Sequence, residues 1–138
     1  MEWSRMMRGA RTILDDCASV KPNEEVLIIT DTKLVRIGEV LTAAAYEREA
    51  EPVLAIMEPR ARDGQEPPDM IAEAMKHADV ILSPVSRSIT HTKAVKEAAE
   101  AGARILVMTA FTERMMISGG IEADFRAQRP VCVKLAEL

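Results

Sequence analysis

Ser83-Pro84-Val85-Ser86-Arg87-Ser88-Ile89-Thr90-His91-Thr92 gathers five hydroxyl side chains, one guanidinium and one imidazole within a single short segment. Hydroxyls donate hydrogen bonds, arginine adds a fixed positive charge, and a loop leading into a helix adds unpaired backbone N–H groups, so the set suits a carboxylate or phosphate. Ser86, Arg87, Thr90 and His91 are the candidate ligand-binding or interdomain residues. A plainer reading is also open, in which Ser88 or Thr90 caps the helix that follows and the other hydroxyls are solvated.

Other chemistry finds little support in the residue pattern. A catalytic metal needs three or more His, Asp, Glu or Cys side chains aimed at one point. The two histidines, His77 and His91, are far apart in the chain with no paired spacing, and the carboxylates fall mostly on helix surfaces. His77, at a helix end, is expected to meet terminal carbonyls. No G-x-S-x-G elbow, P-loop or G-x-G-x-x-G motif is present, and Gly119-Gly120 follows a helix instead of a strand. Cys17 lies on an apolar helical stripe and reads as an inert core thiol. No catalytic and no metal-binding residue is assigned within the chain.

Positioning the Ser83–Thr92 segment requires an α/β frame, which the apolar spacing supplies. Trp3, Met6, Met7, Ala10, Ile13, Leu14 and Cys17 recur at helical steps, predicting a helix from about Ser4 to Ala18. Glu25–Thr30, Val53–Met57, Asp79–Ser83 and Ala103–Met108 are short apolar runs of the kind that form parallel strands covered on both faces. Their starts lie roughly 24 to 28 residues apart, one strand plus one crossover helix.

Between these runs, Asp31 or Thr32 is expected to cap a helix carrying Leu34, Ile37, Val40 and Leu41. Asp69–Met75, Thr90–Ala101 and Thr112–Ile117 read as further helices, with Gly102 as a C′ stop. Pro59–Pro68 is the longest loop and is expected to be mobile. Pro130 fits the first turn of a last helix, in which the chain stops without a C-cap signal; this reads as a cut between domains. The expected fold is α/β: one domain over 1–138, three-layer, flavodoxin- or Rossmann-like, with a parallel sheet of about four strands in the order 2-1-3-4 and flanking helices.

Composition narrows the partners. The 138 residues are 48% hydrophobic and 29% charged, which excludes a disordered chain. A net charge of −4 and a pI near 5.3 leave no basic excess for nucleic acid or an anionic membrane. Two cysteines, and no apolar run of membrane-spanning length, place the chain in a reducing, cytoplasmic setting. Four aromatic residues leave the core to aliphatic residues and nine methionines, which favours close helix–sheet packing.

Several motifs in order along nearly the whole chain resemble one family. Lys21-Pro22-x-Glu24-x-Val26-Leu27-Ile28-x-Thr30-Asp31, Met57-Glu58-Pro59-Arg60 with Glu66-Pro67-Pro68, Thr90-His91-Thr92, Gly102-Ala103-Arg104-Ile105 and Thr112-Glu113-x-Met115 are similar to the N-terminal domain of the leucyl aminopeptidase family that includes aminopeptidase T. The resemblance extends to 2,5-dihydroxypyridine 5,6-dioxygenases. It implies the N-terminal, non-catalytic domain of a longer metallopeptidase, a hydrolase whose metal ligands lie in a C-terminal domain without counterpart here. The chain itself would hold no cofactor. A divalent metal, zinc, cobalt or manganese, or iron for the dioxygenase alternative, is implied for that other domain. The expected partners are that catalytic domain and further copies of the chain. Pro130-Val131-Cys132 departs from the continuous helix expected to lead onward. A stand-alone module binding small anions through Ser83–Thr92 is the non-enzymatic alternative.

Overall fold

The structure, a computed structural model, describes residues 2–138. Four parallel strands, β1 (Glu25–Asp31), β2 (Glu51–Met57), β3 (Val80–Val85) and β4 (Arg104–Thr109), form one sheet in the order β2-β1-β3-β4. The central strands β1 and β3 carry continuous apolar runs because both of their faces are covered. Among the described residues six α-helices accompany the sheet: α1 (Glu2–Thr12), α2 (Val35–Tyr46), α3 (Asp69–Met75), α4 (Lys93–Glu100), α5 (Glu113–Ile117) and α6 (Phe125–Ala136). The chain is therefore a three-layer α/β domain with the expected strand order.

Side chains alternate across each strand and so feed two cores. Val26, Ile28, Val80 and Leu82 pack with Met6, Leu14, Ile37, Leu41 and Met116 on the side of α1, α2 and α5. Leu27, Ile29, Ile81 and Val85 pack with Ile71, Met75, Ile89, Ala94 and Ala98 on the side of α3 and α4. Gly9 sets the approach of α1 to α5, since a Cβ there would lie 2.0 Å from the carbonyl oxygen of Met116. Gly102 closes α4 in the left-handed region at φ +105°, the conformation glycine adopts without a Cβ penalty.

Four local expectations are corrected. The first helix widens into a π turn over Ile13–Cys17, closed by Ala18 N–H donating to Ile13 O at 2.8 Å. The extra residue per turn shifts the phase of the apolar stripe, so Cys17 is exposed instead of buried. Surrounding groups and the charge of Asp16 still push its thiol pKa up. The last helix begins at Phe125, where the Asp124 carboxylate accepts from Ala127 N–H, and Pro130 sits inside it. α2 begins at Val35 with Leu34 at its N-cap, a residue with no polar side chain, so neither Asp31 nor Thr32 caps it; Asp31 accepts instead from the Lys33 N–H before the helix starts. His77 is exposed and makes no side-chain hydrogen bond among the described residues.

Candidate functional site

In the order β2-β1-β3-β4 the chain turns one way from β1 to reach β2 and the other way to reach β3. The carboxyl ends of β1 and β3 therefore form the switch point at which open α/β sheets place ligands. Asp31, the last residue of β1, lies there and is 1% exposed. Its Oδ1 accepts the Lys33 N–H at 3.0 Å, and its Oδ2 accepts the Ser86 N–H and hydroxyl, each at 2.6 Å. Three hydrogen bonds to one carboxylate compensate its burial. Beneath this junction, Ser83 Oγ on β3 is buried and has no hydrogen-bond partner among the described residues.

The loop between β2 and α3 folds over the segment that follows β3. Gly64 N–H donates to Ser88 O at 2.8 Å, and Ser88 N–H donates to Asp63 Oδ1 at 2.7 Å. Glu66 then reaches the start of α4, where Lys93 N–H and Ala94 N–H donate to its two carboxylate oxygens at 2.5 and 3.1 Å. A carboxylate suits a helix N-terminus, where free N–H groups and the helix dipole carry positive charge. The segment expected to be mobile is thus tied down at Asp63, Gly64 and Glu66.

The four sequence candidates divide between these arrangements. Ser86 is half-buried and holds Asp31. Thr90 is exposed and accepts from the Ser88 hydroxyl at 2.9 Å. Arg87 and His91 are exposed, and no side-chain hydrogen bond joins either to Ser86 or Thr90 among the described residues. The cap of α4 is Thr92, whose Oγ1 accepts from Val95 N–H at 3.3 Å and donates to Ile89 O at 2.6 Å; neither Ser88 nor Thr90 takes that place.

Asp31, read from the sequence as a helix cap, and Glu66, read only as part of a family-like motif, are the residues of this edge missing from the four candidates. Asp31 was legible as the polar end of an apolar run, but its partner lies 55 residues away. Among the described residues, no three His, Cys, Asp or Glu side chains converge in a way that could hold a metal ion. No helix among the described residues is long and apolar enough to cross a membrane.

No protein-family model matches the sequence, and no curated protein does. Solved structures do share the fold. The chain is similar to 2,5-dihydroxypyridine dioxygenase from Pseudomonas putida KT2440, with a TM-score of 0.63 and 14% identity over 78% of this chain and 34% of that one. It is also similar to AmpT from Thermus thermophilus, with a TM-score of 0.51 and 15% identity over 83% of this chain and 41% of that one. The chain spans about a third and two fifths of the lengths of these proteins, and at this identity the likeness is one of fold.

Proposed function

We propose that the chain is the N-terminal frame domain of a metal-dependent leucyl aminopeptidase, working with a catalytic domain that supplies the metal ligands. One observation carries the reading: Glu24, Asp31, Glu66, Arg104 and Thr112, polar residues from four of the five family-like motifs, are taken up in holding the frame. Glu24 of the first motif accepts from Arg104 of the fourth at 2.7 Å, and the same guanidinium donates to the Ala18 and Ser19 carbonyls. Asp31 binds Ser86, Glu66 closes α4 behind the Thr90-His91-Thr92 motif, and Thr112 caps α5 by accepting from Met115 N–H. Motifs with such roles mark a shared scaffold and leave the reaction to another part of the enzyme. Among the described residues, no three His, Cys, Asp or Glu side chains converge as a ligand set for the implied zinc, cobalt or manganese.

In this reading Arg87, Thr90 and His91, exposed at the carboxyl edge of the sheet, face the cleft of the catalytic domain, and the assembly works in the cytoplasm. The stand-alone anion-binding alternative loses ground because Glu66 already takes the first N–H groups of α4. The ring-cleaving iron dioxygenase is separated by its metal and its substrate.

The test is to capture the native protein from its source cells with an antibody against this chain, then measure bound metal and hydrolysis of leucine p-nitroanilide. Peptidase activity with zinc, cobalt or manganese is expected. Iron with cleavage of 2,5-dihydroxypyridine would transfer the proposal to the dioxygenase, and capture of the chain alone, without metal or activity, would overturn both.

A further inference from the structure

Two cavities meet on the side of the sheet that carries α1, α2 and α5. One, of about 420 Å³, is bordered by Asp16, Ser19, Arg104 and Arg129. The other, of about 360 Å³, is bordered by Met108, Phe111, Met115 and Ile121. Cys17, Leu106 and Phe125 line both, so the two are ends of one cleft, polar at one end and apolar at the other. Volumes of this size are those of small-molecule sites.

The walls belong to this chain: the π turn, β4, α5, the turn at Gly120–Glu122, and α6, none of whose residues is buried. Leu106 and Met108 form the floor and project from the face of the sheet, where they pack with the α1-side core. A further strand beside β4 would therefore lengthen this floor and leave the cleft above it.

Charges at the polar end do not cancel. Glu24 holds Arg104 at 2.7 Å and Asp16 holds Arg126 at 2.6 Å. Arg129 has neither an ion pair nor a hydrogen bond among the described residues, and the Ser19 hydroxyl on the same cavity has no partner either. Ser19 is held in the left-handed region at φ 51°, and the chain just before it makes the π turn; both are backbone forms that recur at ligand sites. At the apolar end, Met108 and Met115 are flexible side chains that adapt to an apolar guest.

We infer that the cleft binds an amphipathic carboxylate of the medium-chain fatty acid class, its carboxylate at Arg129 and Ser19 and its alkyl chain between Phe125 and Met115. A guanidinium without a partner takes a carboxylate through two parallel hydrogen bonds. The apolar end offers nothing to pair the hydroxyls of a sugar or the backbone groups of a peptide, which disfavours both as occupants. Such binding would hold whichever reaction the full protein carries out.

Sodium decanoate is the probe, and Cys17 the reporter, since its exposed thiol lines both halves of the cleft. In a Cys132→Ser background, decanoate at ten times its calorimetric dissociation constant is expected to slow labelling of Cys17 by N-ethylmaleimide about tenfold, and acetate to leave it unchanged. Arg129→Gln is expected to weaken decanoate roughly tenfold and leave decanol as it was, whereas Met115→Trp, which fills the apolar end, should abolish binding of both. Absence of saturable decanoate binding, binding that leaves Cys17 labelling unchanged, or equal losses of decanoate and decanol in Arg129→Gln would each overturn the inference. The same protection is expected in the native protein captured from its source cells. A Cys17 closed to the reagent there before decanoate is added would show further polypeptide in the cleft and overturn it too. Should the variants fail to fold, Cys17 labelling of the wild-type chain, read by mass spectrometry, decides.

Discussion

The Asp31 carboxylate accepts both the backbone N–H and the hydroxyl of Ser86 at 2.6 Å, tying the carboxyl end of β1 to the segment leaving β3. These ends are otherwise held by the strand ladder, whose β1–β3 register runs only from Val26↔Val80 to Ile28↔Leu82. The side-chain contact continues where the ladder stops. Asp31→Ala leaves the Ser86 and Lys33 donors unpaired in a buried place and is expected to cost about 3 kcal/mol; Ser86→Ala is expected to cost about 1.5 kcal/mol. Urea denaturation of both variants and the double variant checks this, and additive losses would mean the two residues act independently.

Glu66 closes the start of α4 and anchors the β2–α3 loop. Removing a helix cap typically costs about 1 kcal/mol. Glu66→Ala is therefore expected to lower stability by that amount and to speed tryptic cleavage after Arg60 and Arg62, whose loop it holds. Cleavage at the wild-type rate would show that Asp63 and Gly64 suffice.

Gly9 has no room for a side chain. With the Met116 carbonyl oxygen 2.0 Å from any added Cβ, Gly9→Ala must push α5 away from α1. Overpacking of this kind costs about 1–3 kcal/mol, and the obstacle here is backbone, so the upper part of that range is expected in thermal or urea unfolding.

The fold was legible because strand and helix periods leave direct marks: four apolar runs at regular spacing, each followed by a helical stripe, determine a parallel sheet. The strand order was legible too. Cys17 was misplaced because a π turn leaves no composition signal, and one added residue moves a side chain off the stripe. The edge site was partly hidden for a related reason. Ser86 and Glu66 take their meaning from partners distant in sequence, Asp31 at one end and the N–H groups of Lys93 and Ala94 at the other. Hydroxyl-rich composition showed where an anion could sit, but not that a carboxylate of the chain sits there.

Acid is expected to weaken the domain by a definite route. Arg11, with help from Arg48, holds the Glu47 carboxyl down to about 2, and Arg104 holds that of Glu24 below its ordinary value. A carboxyl with a lowered folded-state pKa contributes its stability fully above its unfolded value and loses it as pH falls toward the folded one. The urea midpoint should therefore fall between about pH 4.5 and about pH 2. In Glu47→Gln that acid-side slope should be shallower, and an identical slope would exclude Glu47 as a source.

Exposure of Arg87 and His91 at the carboxyl edge separates a role in function from a role in the frame. If the captured protein has the proposed peptidase activity, Arg87→Ala combined with His91→Ala is expected to lower turnover or raise KM while the melting temperature stays within about a degree of wild type, since exposed substitutions rarely change stability. Unchanged kinetics would remove both residues from the cleft.

The central claim is that this chain supplies a frame and no reacting groups. Elemental analysis of the purified chain after equilibration with zinc, cobalt, manganese and iron, run beside a leucine p-nitroanilide assay, tests it most directly. The account expects no stoichiometric metal and no hydrolysis, because His77 and His91 lie in different βα units and no ligand set converges among the described residues. One tightly held ion per chain, lost together with peptidase activity on substituting His, Asp or Glu residues of this sequence, would contradict it.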